Sequence, residues 1–405
     1  MATAIADHRA GAAPADGAPS TADGDRRWRA QSLAHGAAGV ALFHIERAHA
    51  GLGAWPTSHR WLSVATAGDL SAGDNAGLFF GVPAVAFACH AAAGGRTGRY
   101  QQALRSLDAG VATLTRYRLH QAHQRIAQGR RPALAEYDLI LGLTGLGAYL
   151  LRRQPHGALL REVLAYLVRL TQPLPGHDTG WPGWWTDLDP AGRRSPRYPG
   201  GHGNLGMAHG IGGPLALLSL AMRHGVIVDG QTEAIGRICD WLDVWRQDHD
   251  HGPWWPEWVT PSEVDRQRLR RPGPGRPSWC YGTPGLARAQ QLAGLATGDT
   301  ARQHLAETAL LGCLTNPHQS AQIPDTSLCH GTAGLLQTAW RIAAEAQTTD
   351  IAARLPGLLD RLVNHRLPSA DIGFLEGTAG LALALHTIAA DAAPLSGWDA
   401  CLLLT

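Results

Sequence analysis

The sequence predicts an all-α chain folded as an α/α toroid, a barrel of seven helix-pair repeats with an inner and an outer helix layer. Three observations carry that prediction. A small motif recurs seven times in the 405 residues: a glycine, two residues, a second small residue, then an apolar run. The stretches between copies are amphipathic, with apolar residues at three- and four-residue spacing. Cysteines and histidines stand immediately before several of the motifs, which marks one end of the repeats as a place for chemistry.

Taken in order, the copies are Gly36-Ala-Ala-Gly39, Gly81-Val-Pro-Ala84, Gly142-Leu-Thr-Gly145, Gly210-Ile-Gly-Gly213, Gly282-Thr-Pro-Gly285, Gly331-Thr-Ala-Gly334 and Gly377-Thr-Ala-Gly380. Their first glycines lie 45, 61, 68, 72, 49 and 46 residues apart, the spacing of helix-pair modules. Each motif opens a run such as Leu335–Ala344 or Leu381–His386, whose Ala and Leu content all round predicts a buried helix. The second helices are read at Leu159–Leu170, Ile235–Trp245, Leu305–Leu314 and Leu358–Leu362, with charge on their outer faces. Small residues at the inner helix starts allow close backbone approach. Closure of the seven pairs gathers those starts at one rim, whereas an open solenoid with glycine turns is the plainer alternative. The second and first repeats are looser, with Ala84 where a glycine is expected in the second. Residues 1–27, rich in Ala, Gly, Pro and Asp, are expected to be a disordered tail, and 28–405 a single barrel domain.

Composition narrows the function. The 35 basic residues are all arginine and face 33 acidic ones, a net charge of +2 with no cluster of the kind that grips phosphate backbones, so nucleic acid is excluded as a partner. No apolar run reaches the roughly 18–20 residues of a membrane span. The leader has no apolar signal core, which points to the cytoplasm. Six cysteines are too sparse for a disulfide scaffold, leaving metal binding or catalysis as their chemistry.

Three motifs carry reactive neighbours: Ala208-His209-Gly210, Trp279-Cys280-Tyr281-Gly282 and Leu328-Cys329-His330-Gly331. Equivalent repeat positions share one rim of a toroid, so Cys280, Cys329, His330 and His209 are expected to converge. Two thiolates and an imidazole suit zinc, with a fourth position left open for a substrate. Adjacent residues of a regular helix point about 100° apart, so Cys329 and His330 can share an ion only at an irregular helix start. The plainer reading makes both cysteines small buried residues and His330 a cap. Cys89, Cys239 and Cys313 lie in apolar helical runs and Cys401 in the tail, where packing is the expected role.

These residues also carry a resemblance. Asn204–Gly210, Arg276–Gly285, Ser327–Gly334 and Gly373–Gly380 resemble, in the same order, the signature blocks of the lanthionine synthetase C-type peptide cyclases, and Tyr137-Asp138–Gly145 resembles a fifth. The likeness runs over roughly residues 30–390. It implies a seven-fold α/α barrel with one zinc ion per chain on Cys280, Cys329 and His330, and a site completed by His209, Asp138, Arg276 and Tyr281. The implied reaction joins a cysteine thiol of a dehydrated ribosomal precursor peptide to dehydroalanine or dehydrobutyrine, giving lanthionine or methyllanthionine rings. A dehydratase is the implied partner, a transporter complex a further one, and membrane association through those partners is admitted.

Within that reading His209 is the acid for the enolate, Arg276 its stabiliser, Asp138 the group that orients His209, and Tyr281 a hydrogen-bond donor. Read singly, Asp138 is a helix cap and Arg276 a solvated arginine. The Trp-rich stretches Trp181–Trp185 and Trp254–Trp258 read either as peptide-docking lids or as loops pinned by buried indoles. Three rival functions remain: a zinc-binding peptide scaffold without activity, addition of glutathione to dehydrated peptides, and a prenyltransferase-like zinc enzyme. Seven repeats and an adjacent Cys-His pair argue against the last.

Overall fold

The structure is a computed structural model that describes residues 30–94, 98–175, 180–364 and 371–405. The expected tail at 1–27 lies outside the described residues. Seven inner helices are present: α1 (Ala37–His49), α3 (Val82–Ala93), α5 (Leu143–Arg153), α7 (Gly212–Arg223), α9 (Thr283–Thr297), α11 (Thr332–Ala343) and α13 (Thr378–Ala390). They alternate with outer helices α2 (Trp55–Ala65), α4 (Gln101–Ala127), α6 (Ala158–Leu170), α8 (Gln231–Trp245), α10 (Thr300–Thr315) and α12 (Leu355–Asn364). Each inner helix packs on the next, and α13 packs on α1. The ring is therefore closed, and the open solenoid is not what the chain forms. Among the described residues, no helix is long and apolar enough to cross a membrane.

The two layers follow from their residues. Every residue of α3 except His90 is buried, as its run of Ala, Val, Phe and Cys requires, whereas α6 buries Leu160, Val163, Leu164 and Leu167 and turns Arg161, Glu162 and Arg169 outward. Inner helices pack on both sides and outer helices on one.

No outer helix follows α13 among the described residues. Residues 396–404 instead turn into the ring and fill its centre, with Trp398 to Leu404 buried. Asp399, fully buried, accepts hydrogen bonds from Gln337 Nε2 (2.8 Å) and from Arg341 Nε (2.6 Å) and Nη2 (2.9 Å). The carbonyl of Leu404 takes two bonds from the buried Arg288 guanidinium, and that of Leu402 takes the Trp279 indole N–H at 3.0 Å. Ser396 N donates to Glu46 at 2.8 Å. Helices α1, α9 and α11 thus all hold the plug. Cys401 is packed within it, as are Cys89, Cys239 and Cys313 within their helices.

Candidate metal and catalytic centre

The loops before the inner helices line one rim of the ring. Backbone hydrogen bonds link the residues two places ahead of successive motif glycines: Ala208 N to the Cys280 carbonyl (3.2 Å), Cys280 N to Cys329 (3.2 Å), Cys329 N to Leu375 (2.9 Å) and Leu375 N to Ala34 (3.0 Å). Leu139 N continues the circuit to Ala208, and Leu33 N donates to Phe79. Close approach explains the second glycine of the motif. A Cβ on Gly334 would overlap the Leu328 carbonyl oxygen, and one on Gly380 would overlap that of Phe374. At Ala84 the second repeat accommodates a methyl group, and α3 forms with Ala84 fully buried.

The rim brings Cys280, Cys329 and His330 together: Sγ, Sγ and a ring nitrogen lie within 4.8 Å of one another. Cys329 and His330 precede Gly331, the residue that caps α11, so they occupy a turn and not the helix. That is the irregular start their adjacency requires. The Nε2 of His330 is 3.1 Å from Asp325 Oδ2, which leaves Nδ1 for the thiols. The Cys329 contact, aided by His330, holds the Cys280 thiol well below its usual range despite burial, and the same contact pushes Cys329 up. His330 is raised, chiefly by its hydrogen bond to Cys280. Two cysteine sulfurs and an imidazole nitrogen this close form a nitrogen–sulfur donor set, and zinc fits that chemistry with three protein ligands.

His209 lies one repeat earlier. Its Nδ1 is 2.7 Å from Asp138 Oδ2, while Asp138 Oδ1 accepts the backbone N–H groups of Leu141 and Gly142, both at 2.8 Å. Asp138 is therefore a loop cap and a histidine partner at once; it is 1% exposed. Burial pulls the His209 imidazole down, but the Asp138 hydrogen bond and charge, with that of Cys280, outweigh it and raise its pKa. Tyr281 stacks on His209 with ring centroids 6.2 Å apart. Its hydroxyl accepts from Asn204 Nδ2 at 3.2 Å, and burial pushes its phenol up. Arg276 carries a buried Nε with no hydrogen-bond partner among the described residues, and its charge acts on both Cys329 and His330. The residue as a whole is half-buried. All seven residues singled out in the sequence share this end of the ring.

Two residues of the site escape sequence reasoning: Asp325, behind His330, and Asn204, which joins His202 to Tyr281. Their signal is positional. Asn204, Arg276, Asp325 and Asp371 each stand six residues before the first glycine of a motif. The Trp-rich stretches are pinned for the most part: Trp184, Trp185, Trp254 and Trp255 are buried, and the Trp185 and Trp255 indoles donate to Gly200 and Leu242 carbonyls. Trp181 and Trp258 are the exceptions: half-buried Trp181 stacks on Trp185 with ring centroids 4.5 Å apart, and Trp258 stands edge-on to Tyr281 at 6.1 Å.

The family model for lanthionine synthetase C-like proteins matches residues 27–403. The chain is 23% identical over 256 residues to the nisin biosynthesis protein NisC of Lactococcus lactis subsp. lactis, a stretch covering 62% of this chain and 60% of that protein. The match thus spans about three fifths of the curated relative's length. A solved structure described as nisin cyclase superposes with a TM-score of 0.78 over 94% of each chain at 20% identity, and so has the same fold.

Proposed function

Since the chain belongs to the lanthionine synthetase C-like family, we propose that it is a thioether-forming cyclase. It adds cysteine thiols of a dehydrated precursor peptide to dehydroalanine or dehydrobutyrine of the same peptide. The observation that carries this reading is the convergence, on one rim, of the Cys280–Cys329–His330 donor set with the His209–Asp138 pair.

Cys280, Cys329 and His330 would hold a zinc ion, which would favour the thiolate form of a substrate cysteine at neutral pH. Asp325 on Nε2 of His330 fixes the ring that offers its other nitrogen as ligand. Addition of the sulfur to the β-carbon leaves an enolate whose α-carbon needs a proton and whose oxygen needs a positive neighbour. His209 supplies the proton from Nε2, because its Nδ1 is committed to Asp138, whose hydrogen bond and charge favour the protonated ring. Asp138, anchored by two backbone N–H groups, holds the imidazole in one orientation. Arg276, with its unpartnered buried Nε, meets the enolate oxygen. Tyr281 packs against the acid and keeps water from its face.

The test is single-turnover ring closure of a dehydrated peptide by the zinc-loaded protein, followed by mass spectrometry after thiol alkylation. Rings formed faster and with one stereochemistry relative to the protein-free reaction support the cyclase. Glutathione adducts in place of rings would favour intermolecular addition. Peptide binding without acceleration would favour a scaffold.

A further inference from the structure

The residue just before the first glycine of each motif faces the rim, and its identity divides the ring. Phe80 and Leu141 are apolar; His209, Tyr281, His330, Glu376 and His35 form a continuous polar arc. The proposed reaction uses the first three and leaves His35 and Glu376 without a role.

His35 duplicates His209. Each precedes a motif glycine, and each presents Nδ1 to an Asp Oδ2 from the preceding repeat: Asp138 for His209 at 2.7 Å and, across the closure between the last repeat and the first, Asp371 for His35 at 3.4 Å. In both pairs the other carboxylate oxygen is occupied by backbone N–H groups, Leu141 and Gly142 in one and Gly373, at 2.7 Å, in the other. Both histidine side chains are 38% exposed. The pairs differ in setting: the Asp138 side chain is 2% exposed and that of Asp371 32%, and the exposed Glu376 carboxylate lies within 4.8 Å of His35 and Asp371. The two dyads bracket the metal-ligating cysteines. Ala208 bonds to Cys280 on one side, and on the other Cys329 bonds to Leu375, which bonds to Ala34.

Thiol addition requires two proton transfers: the thiol loses a proton and the α-carbon gains one. In the proposed function on which this inference rests, His209 is committed through Asp138 to the α-carbon, which leaves the thiol proton without an acceptor. We propose that His35, held through Nδ1 by Asp371, is a second catalytic histidine that accepts the proton of the incoming cysteine thiol. The S–H bond breaks as an N–H bond forms at His35 Nε2. The sulfur pair then bonds to the β-carbon, the π pair moves to the carbonyl oxygen, and His209 protonates the α-carbon. The proton on His35 passes to water beside Glu376 while His209 takes one back, so no proton or electron is gained or lost overall. Asp371 is the positioning residue, and Glu376 gives the pair its path to solvent.

The experiment compares wild type, His35→Ala, His35→Gln and Asp371→Asn, all zinc-loaded, on a dehydrated peptide whose nucleophile is either cysteine or selenocysteine. A selenol is already ionised at pH 7 and needs no base. Both His35 variants should close the cysteine ring about 10²-fold slower and the selenocysteine ring at close to the wild-type rate. Asp371→Asn should show the same selenium-reversible deficit to a smaller extent, and His209→Ala should slow both peptides alike. Equal slowing of His35 variants on both peptides, or no slowing on either, overturns the inference while wild-type ring closure keeps the cyclase reading. Absence of rings with wild type removes both. Elemental analysis guards the assignment: two metal ions per wild-type chain falling to one in His35→Ala would make His35, Asp371 and Glu376 a metal site and not a base.

Discussion

Asp138→Asn separates the two jobs of one carboxylate. The amide oxygen of the substituted side chain can still cap Leu141 and Gly142, as Asp138 Oδ1 does at 2.8 Å, but its NH2 group replaces the Oδ2 that accepts from His209 at 2.7 Å. One hydrogen bond to a charged group is lost, worth about 1.5–3 kcal/mol. The chain should therefore fold, with a lower denaturation midpoint, and keep its zinc. The imidazole, no longer held as an Nδ1–H donor, should lose most of its value as an acid, a drop of about 10²–10⁴-fold in single-turnover ring closure. The pH dependence gives a second reading. The His209 pKa is raised in the folded chain, so the stability contributed by its pairing with Asp138 is fully present below the unfolded value near 6.5 and is lost as pH rises through the raised one. The stability gap between wild type and Asp138→Asn should accordingly be widest below about pH 6.5 and should narrow as the pH rises above it. The alkaline limb of the rate profile, where the acid loses its proton, should move to lower pH in the variant. Mass spectrometry after thiol alkylation measures the rate, with the protein-free addition subtracted. A variant that cyclises at the wild-type rate with an unmoved alkaline limb would refute the claim that Asp138 serves His209.

Cys280→Ala and Cys329→Ala should each leave the circular dichroism of the helices intact and remove zinc in elemental analysis; chelation of wild type should lower its melting temperature by mass action without unfolding it. Asp325→Asn should weaken zinc by about 10–100-fold in a competition titration, because His330 loses the carboxylate that fixes its ring. Gly334→Ala forces a methyl group into the Leu328 carbonyl oxygen and should cost roughly 1–3 kcal/mol in chemical denaturation, whereas Ala84→Gly, which creates no overlap, should cost less. Asp399→Ala leaves the Arg341 guanidinium buried without its carboxylate, and should cost about 3–5 kcal/mol in the same measurement.

The Cys280–Cys329–His330 cluster was legible because repetition turns distance along the chain into neighbourhood: Cys280 and Cys329, 49 residues apart, hold the same place in consecutive repeats. Closure was harder to read, since the packing of α13 on α1 joins the two ends of the repeat array and leaves no local pattern. For Asp138 the two rival sequence readings, cap and histidine partner, both describe the residue, one oxygen each. Asp325 reads locally as a residue of a Pro-Asp turn, and only its offset from Gly331, shared with Asp371 and Asn204, ties it to the rim. The plug is the largest omission. Trp398 to Leu404 reads as a trailing segment, and Arg288 and Arg341, which hold it, read as ordinary helical arginines until the ring brings them to one centre.

The plug bears on why chemistry sits at the rim. Seven inner helices with small residues at their starts enclose a centre that short Ala and Gly side chains leave unfilled, and an unfilled apolar centre forfeits dispersion contacts on every helix that lines it. Residues 398–404 supply that volume, and their carbonyls and Asp399 satisfy arginines on α9 and α11. With the centre filled from within, the candidate site lies in the rim loops. Backbone bonds hold six of the seven joints between those loops, with glycine at the close contacts, and the Arg118 side chain bridges the carbonyls of Ala76 and Leu141 at the seventh. The side chain before each glycine is then free to vary with little effect on the ring, which is how the second repeat can carry Phe80, the fourth His209 and the sixth His330 in the same frame. Removing the metal ligands should for that reason silence the site and leave the barrel standing, whereas a methyl group at Gly334 or a lost carboxylate at Asp399 should weaken the barrel itself.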